Sequence, residues 1–194
     1  HPATQDAIQR LISRNNIHIP AQEGELASGL QGVGRMQEPD QIVDFLEHDL
    51  SSKMPLLGIK ILVTAGPTYE PLDPVRYIGN YSSGKMGYAI ANEAASLGAE
   101  VILVSGPADD LAIRPGVTLV QTKTADDMHA ACLLHFANCD ILVMAAAVAD
   151  YKPKHMAEGK IKKEEEITSV ELVKTVDILE SLGKKKTNQV LVGF

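Results

Sequence analysis

GIKILVTAGPTYEPLDPVRYIGNYSSGKMG, residues 58–87, decides how this chain is read. Ile61-Leu62-Val63 is an unbroken apolar run, as in a strand covered on both faces. A polar loop follows, holding Gly66, Pro67, Thr68, Asp73, Pro74, Arg76, Asn80, Ser82, Ser83 and Gly84. A connector this long and this polar is a candidate functional loop. Beyond it, Met86, Ala89, Ile90, Ala94 and Leu97 recur at helical spacing. Ser82 or Ser83 can cap that helix, and Gly98 ends it.

Toward the C-terminus, Val101–Val104, Val117–Val120 and Ile141–Val143 read as further buried strands. Thr124-Ala-Asp-Asp127 starts a helix with Met128, Cys132, Leu133 and Phe136 on a stripe. Strands alternating with helices predict an α/β fold, a Rossmann-like, doubly wound and mostly parallel sheet. Ligands of such sheets bind beyond the carboxyl ends of the strands. The loop after the first strand and the Ala145–Asp150 loop both lie at that edge. After Asp150 the pattern changes: Tyr151–Gly159 reads as a loop, and Lys160–Val173 as an extra hairpin or flap segment. Within it, Ser169–Val173 alternates as a strand. Asp177–Leu182 predicts a short helix and Val190–Val192 a last strand.

Toward the N-terminus, Ala3–Ser13 predicts a helix and Ile17–Ile19 a short strand ended by Pro20. Gly24–Met36 reads as irregular, Glu38-Pro39 opens a second helix, and Ser51–Pro55 reads as linker. So few large apolar side chains would not fold well alone, so this part reads as the tail of a preceding domain. The domain reading is 1–50 as that remnant, 51–57 as linker and 58–194 as the α/β domain. Because the chain opens mid-pattern at His1-Pro2 and stops within Val192-Gly193-Phe194, it reads as a fragment.

Composition narrows the function classes. The chain has 194 residues, 45% of them hydrophobic and 22% charged, which is ordinary for a globular protein. A formal net charge of −7 argues against wholesale nucleic-acid binding, although local cations can still hold an anion. Cys132 and Cys139 match no zinc or redox spacing and read as buried free thiols, which suits a reducing cytoplasm. No apolar run approaches the roughly 18 residues of a membrane span, and no stretch reads as a signal peptide. The expectation is a cytoplasmic protein with no nucleic-acid or membrane partner.

Several constellations carry chemistry. Gly79-Asn-Tyr-Ser-Ser-Gly84-Lys85-Met86 nearly spells a P-loop, but Met86 replaces the magnesium-holding hydroxyl, and Gly66–Ile78 separates it from its strand. Ser82, Ser83 and Gly84 still place amides at a helix start, where they either cap or meet a phosphate. Arg76, in Asp73-Pro-Val-Arg76, is a brace, an anion contact, or both. Asn80 can position an acyl group or oxyanion, or stabilise the turn. Lys160, Lys162 and Lys163 form a basic patch that is either a solvated run beside Glu164–Glu166 or a polyphosphate clamp. On a strand, Lys160 and Lys162 would point the same way. Asp150, at a strand end, can cap or accept from a base or ribose. His129, one turn from Asp126, falls short of a metal site.

These residues carry a resemblance. Residues 58–194 resemble the phosphopantothenate–cysteine ligase (phosphopantothenoylcysteine synthetase) domain of the bacterial bifunctional coenzyme A biosynthesis flavoprotein. The motifs are Ala65-Gly-Pro-Thr68 with Glu70, Asp73-Pro-Val-Arg76, Asn80-Tyr-Ser-Ser-Gly-Lys-Met-Gly87, Val104-Ser-Gly-Pro107, Ala145-Ala-Ala-Val-Ala-Asp-Tyr151 and Lys160-Ile-Lys-Lys163. The resemblance implies a ligase joining 4′-phosphopantothenate to L-cysteine. CTP, with Mg2+, would activate the carboxylate as an acyl-cytidylate, releasing pyrophosphate, and the cysteine amine would then displace CMP. By the same resemblance Lys160 and Asn80 are catalytic: Lys160 neutralises the triphosphate and Asn80 handles the acyl-cytidylate. Met144, Ala145, Ala146, Asp150, Lys160, Val176, Asp177, Ile178 and Leu179 would bind nucleotide, although the family often has Pro where this chain has Val176. Arg76, Asn80, Ser82, Ser83 and Gly84 would bind phosphopantothenate. A homodimer is implied, with the strands after Asp150 as contacts.

Residues 1–40 resemble the end of the family's flavin-dependent decarboxylase half, through Gly24-Glu-Leu-Ala-Ser28-Gly29, Gly34-Arg-Met36 and Glu38-Pro39. Ser28 stands where that half commonly has a catalytic cysteine, and a hydroxyl is a far weaker acid than a thiol. The FMN of that half would belong upstream of His1, so no decarboxylase activity is expected. Two other classes stay in view. A nicotinamide oxidoreductase would need G-x-G-x-x-G directly after the first strand, where it is missing. A truncated, non-catalytic nucleotide-binding or dimerisation module would keep the site without turnover.

Overall fold

A computed structural model describes residues 1–25, 29–162 and 169–194 of the chain. It forms two compact units, His1–Lys53 and Met54–Phe194. The first holds helix α1 (Pro2–Ser13), strands β1 (Gln22–Glu25) and β2 (Gln31–Arg35) and helix α2 (Pro39–Lys53). None of its described residues is buried, and large apolar side chains such as Leu11, Val43, Leu46 and Leu50 are exposed. Three expectations are corrected here. Ile17–Ile19 forms no strand, and Pro20 beside it offers no N–H for a ladder. Part of the stretch read as irregular is an antiparallel hairpin, β1 with β2. Helix α2 runs through Lys53 into the expected linker, with Lys53 Nζ on Asp49 at 2.6 Å one turn back.

The second unit is a parallel α/β fold. Strands β3 (Lys60–Ala65), β6 (Glu100–Ser105), β7 (Val117–Gln121), β8 (Ile141–Met144) and β11 (Val190–Gly193) form one sheet in the order β11-β8-β3-β6-β7. All its pairings are parallel. Two short antiparallel pairs stand outside it: β4 (Tyr69–Pro71) with β5 (Tyr77–Gly79), and β9 (Tyr151–Pro153) with β10 (Leu172–Lys174). The first lies within the long polar loop. The second supplies the extra strand segment after Asp150, although its first strand falls where a loop was expected and its second begins at Leu172 rather than Ser169. Lys160–Lys162 forms no strand, so the same-face argument for Lys160 and Lys162 lapses. Ser28, Lys163 and Glu164–Glu166 lie outside the described residues.

Alternation along the strands divides the core in two. Ile61, Val63, Ala65, Val101, Leu103 and Val143 face helix α3 (Lys85–Ser96), which contributes Tyr88, Ala91 and Ala94. Leu62, Val104, Leu142 and Met144 face the opposite layer. There helix α4 (Ala125–Phe136) brings Met128, Cys132 and Phe136, and helix α5 (Ile178–Gly183) brings Ile178 and Leu182. Strands covered on both faces must be apolar at nearly every position, which is why they were legible. Helix α3 sits close to the sheet because Gly87 has no side chain: a Cβ there would lie 2.5 Å from the Cβ of Ala65. Helix α4 begins with a capping box in which the Thr124 hydroxyl and the Asp127 carboxylate each accept from the other's amide. The start of α3 is a correction. Its N-cap is Gly84 at φ 74°, and neither Ser82 nor Ser83 caps it through a side chain.

Candidate functional site

The carboxyl edge of β3 and β8 is built from small side chains and threonines. Gly66 turns the chain out of β3 at φ 74°. Gly106 lets the next crossover pass, since a Cβ there would fall 1.6 Å from the Pro67 oxygen. The Ala145–Asp150 loop then lies against the first one. The Thr64 hydroxyl accepts from the amides of Ala145 and Ala146, each at 3.2 Å. The Thr68 hydroxyl accepts from Ala149 N–H at 2.9 Å. Asn80 Nδ2 donates to the carbonyls of Ala147 at 3.3 Å and Val148 at 3.0 Å. From the other side, Thr175 donates its hydroxyl to Ala149 O at 2.6 Å and its amide to Asp150 O at 2.9 Å. The orientation of the Asn80 amide follows from chemistry, because two carbonyls can only accept. Its Oδ1 is therefore the side left for a ligand.

Next to this loop opens a cleft of about 730 Å³. Its walls are Met144, Ala146, Val148–Tyr151, Lys174–Glu180, Gly193 and Phe194. Of the nucleotide-binding expectations, Met144, Ala146, Asp150, Val176, Asp177, Ile178 and Leu179 line it. Ala145 sits in the adjoining turn, held by Thr64, and Lys160 is not a lining residue. One oxygen of Asp177 already caps α5 by accepting from Glu180 N–H at 2.8 Å. Three acids, Asp150, Asp177 and Glu180, face the cleft with one cation, Lys174. Such a lining suits hydroxyl and amine donors better than bare phosphate. Lys174 and Thr175 were missed from sequence. A lone Thr between two short elements gives no signal of its own, but Thr64, a polar residue inside a buried apolar run, is one that could have been read.

The phosphopantothenate expectations are not brought into one cavity. Asn80 braces the Ala145–Asp150 loop. Ser82 and Ser83 line a separate hollow of about 250 Å³ with Tyr69, Pro107, Ala108 and Asp109. Gly84 is buried against Gly66 and Ala108 at the start of α3. Arg76 turns to Asp73, so the brace reading holds: Nε and Nη2 reach Asp73 Oδ2 at 2.9 and 2.5 Å. Arg76 and the surrounding amides hold the Asp73 carboxyl well below the usual carboxylate range. The bland readings stand elsewhere too. Asp126 pairs with Lys152, and His129 Nε2 meets Ser181 Oγ at 2.8 Å. Burial pushes the Cys132 thiol up to about 12 and that of Cys139 to about 11, and neither is in a disulfide. Among the described residues no cluster of three His, Cys, Asp or Glu could hold a metal, and no helix is long and apolar enough to cross a membrane.

A parallel five-stranded sheet, with a cleft where its carboxyl edge meets small-residue loops, defines an α/β ligand-binding domain. Residues 56–194 match the DNA/pantothenate metabolism flavoprotein C-terminal domain, and the chain belongs to that family. It is 43% identical over 196 residues to the coenzyme A biosynthesis bifunctional protein CoaBC of Bacillus subtilis (strain 168), covering all of this chain and 48% of that protein. It is 46% identical over 202 residues to a protein of an unknown prokaryotic organism named cysteine/cysteine sulfinic acid decarboxylase, covering all of this chain and 55% of that one. The chain thus spans about half the length of the curated relatives it matches. Among solved structures, the C-terminal domain of a CoaBC superposes with a TM-score of 0.62 at 50% identity, over 71% of this chain and 64% of that one.

Proposed function

We propose that this chain carries the ligase step of coenzyme A biosynthesis, joining 4′-phosphopantothenate to L-cysteine at the expense of CTP. The observation that carries the reading is the shared loop: Asn80 grips the outer carbonyls of Ala147 and Val148, while Ala146 and Val148–Asp150 wall the cleft. Two sites separated by one loop fit a reaction in which a nucleotide and an acid must meet. In the first step a carboxylate oxygen of phosphopantothenate attacks the α-phosphorus of CTP. A P–O bond forms to give the acyl-cytidylate, the α–β bond breaks and pyrophosphate leaves. In the second step the cysteine amine attacks the acyl carbon, a C–N bond forms, CMP departs with the C–O electrons and the amine's extra proton is lost to solvent. The Asn80 Oδ1 is an acceptor, and its role in this reading is to hold an N–H of the incoming amine.

Cytidine and ribose occupy the acid-lined cleft, with Asp150 accepting from ribose or base. Phosphates extend from it, and Lys160 supplies their counter-charge. Mg2+ enters on the triphosphate. No step is assigned to FMN. Ser82, Ser83 and the amides at the start of α3 receive the phosphate of phosphopantothenate, and Arg76, braced on Asp73, adds its charge to that binding. The chain acts in the cytoplasm, which its two unpaired thiols suit. A second copy is its partner, favoured by exposed Tyr151 and Leu172 on the β9–β10 pair.

Release of CMP and pyrophosphate from CTP, phosphopantothenate and cysteine tests the reading. Lys160→Gln is expected to abolish pyrophosphate release, and Asn80→Asp to impair product formation after the acyl-cytidylate has formed. If CTP binds and no CMP appears, the chain is a nucleotide-binding module. Carbon dioxide release from phosphopantothenoylcysteine would overturn the assignment in favour of a decarboxylase.

A further inference from the structure

The Asp73–Arg76 turn does more than brace itself. Asp73 has a fully buried side chain. Its Oδ1 accepts from the amides of Val75 and Arg76, both at 2.8 Å, which closes the turn. Its Oδ2 accepts from Arg76 Nε and Nη2, and also from the amide of Ile161 at 3.1 Å, 88 positions away. Arg76 Nη2 completes a ring by donating to the Ile161 carbonyl at 3.0 Å. One residue of a segment with no regular structure is therefore gripped at both its N–H and its C=O by a single ion pair. Next door, Ala157 N–H donates to Leu72 O at 3.0 Å, so the same turn holds the segment at two places. Ile161 stands between Lys160 and Lys162.

We propose that Asp73 is a positioning residue for Lys160: with Arg76 it clamps the backbone of Ile161 and so sets where the Lys160 ammonium enters the site. The role given to Lys160 rests on the ligase reading; the clamp itself does not. Charge-assisted bonds to a buried carboxylate are the strong kind, and a lysine on a flexible stem needs a fixed root to deliver its charge to one place. Without the clamp the cation is still present, but it is delivered to many places.

Asp73→Asn is the selective break. The amide can keep Oδ1 for the turn, but it turns an NH2 toward Arg76 and the Ile161 N–H, which both donate. Ile161→Pro removes the clamped N–H, with proline's own restriction on the backbone of Ile161 and Lys160, and leaves Asp73 and Arg76 intact, which covers the case in which Asp73→Asn does not fold. Two measurements are made on the chain as it stands. Hydrogen exchange at the Ile161 amide is expected to quicken about tenfold in Asp73→Asn, the factor that one charge-assisted bond supplies. In Ile161→Pro the bonded amide of Ala157 reports instead, and its exchange is expected to rise in the same direction. Pyrophosphate release from CTP and phosphopantothenate without cysteine is expected to fall at least tenfold in both variants. Conversion of supplied acyl-cytidylate by cysteine is expected to stay within about twofold, because Asn80 is anchored elsewhere. Unchanged exchange in folded variants overturns the clamp. Equal loss in both half-reactions overturns the positioning role and leaves a structural one. A wild-type chain with no CTP-dependent pyrophosphate release removes the ligase reading, and the exchange result then decides the clamp alone.

Discussion

Two carboxylates on the carboxyl-edge side of the sheet have opposite surroundings. Asp73 is buried and its two oxygens take five N–H groups. Asp150 is exposed at the lip of the 730 Å³ cleft, and its carboxylate has no hydrogen bond among the described residues. The same division runs through the regions around them. On one side, Thr64, Thr68, Asn80, Gly66 and Gly106 leave no slack between the two loops. On the other, Asp150, Tyr151, Lys174, Asp177 and Glu180 border open space at the cleft. A saturated carboxylate has spent its acceptor capacity on the fold, whereas one with capacity left has it for a ligand.

The packed side should break first. Gly106→Ala is expected to destabilise the chain by about 3 kcal/mol, since the Pro67 oxygen cannot give way without moving the loop. Urea unfolding checks this, and a loss below about 1 kcal/mol would show that the edge is softer than its geometry. Thr64→Val keeps shape and removes the acceptor shared by Ala145 and Ala146. It is expected to cost about 2 kcal/mol and to weaken CTP binding with it. Asp150→Asn should separate the two regions: stability within about 0.5 kcal/mol of wild type, but CTP affinity lower by about tenfold in calorimetry.

The pH dependence reads the packed side again. The folded pKa of Asp73 is depressed, so its contribution to stability is fully present above the unfolded value near pH 4. That contribution is lost as pH falls below that value toward the folded pKa. Wild type should therefore lose stability more steeply below about pH 4 than Asp73→Asn, and matching acid profiles would remove Asp73 from that role.

The relatives divide along a similar line, because the chain covers only about half of each. One is named for coenzyme A biosynthesis and the other for decarboxylation, yet both align along this whole chain. Shared sequence therefore supports the common domain more firmly than the reaction. Pyrophosphate release and carbon dioxide release, measured side by side, distinguish the two.

Much of the parallel sheet could be read from residue order alone. Strands buried on both faces leave near-continuous apolar runs, and Thr124 to Asp127 announces its helix by a purely local capping box. The candidate cleft was partly legible: Ala145–Asp150 through small residues at a strand end, and Val176–Leu179 through the family resemblance. Other features were not legible for the same physical reason. The strands Tyr69–Pro71, Tyr77–Gly79 and Tyr151–Pro153 span three residues each, too short for a period to show, and exist through their partners. Gly84 takes the cap from Ser82 and Ser83 because space beside Gly66 and Ala108 decides it.

The sequence by itself determined that this is a parallel α/β domain and pointed to the carboxyl edge as the place for a candidate site, since apolar periodicity and caps act over a few residues. Tertiary structure alone decided what each polar residue is for. Whether Asp73 braces or binds, which way the Asn80 amide points, and what holds Ile161 depend on partners as many as 88 positions distant, and no local pattern records them.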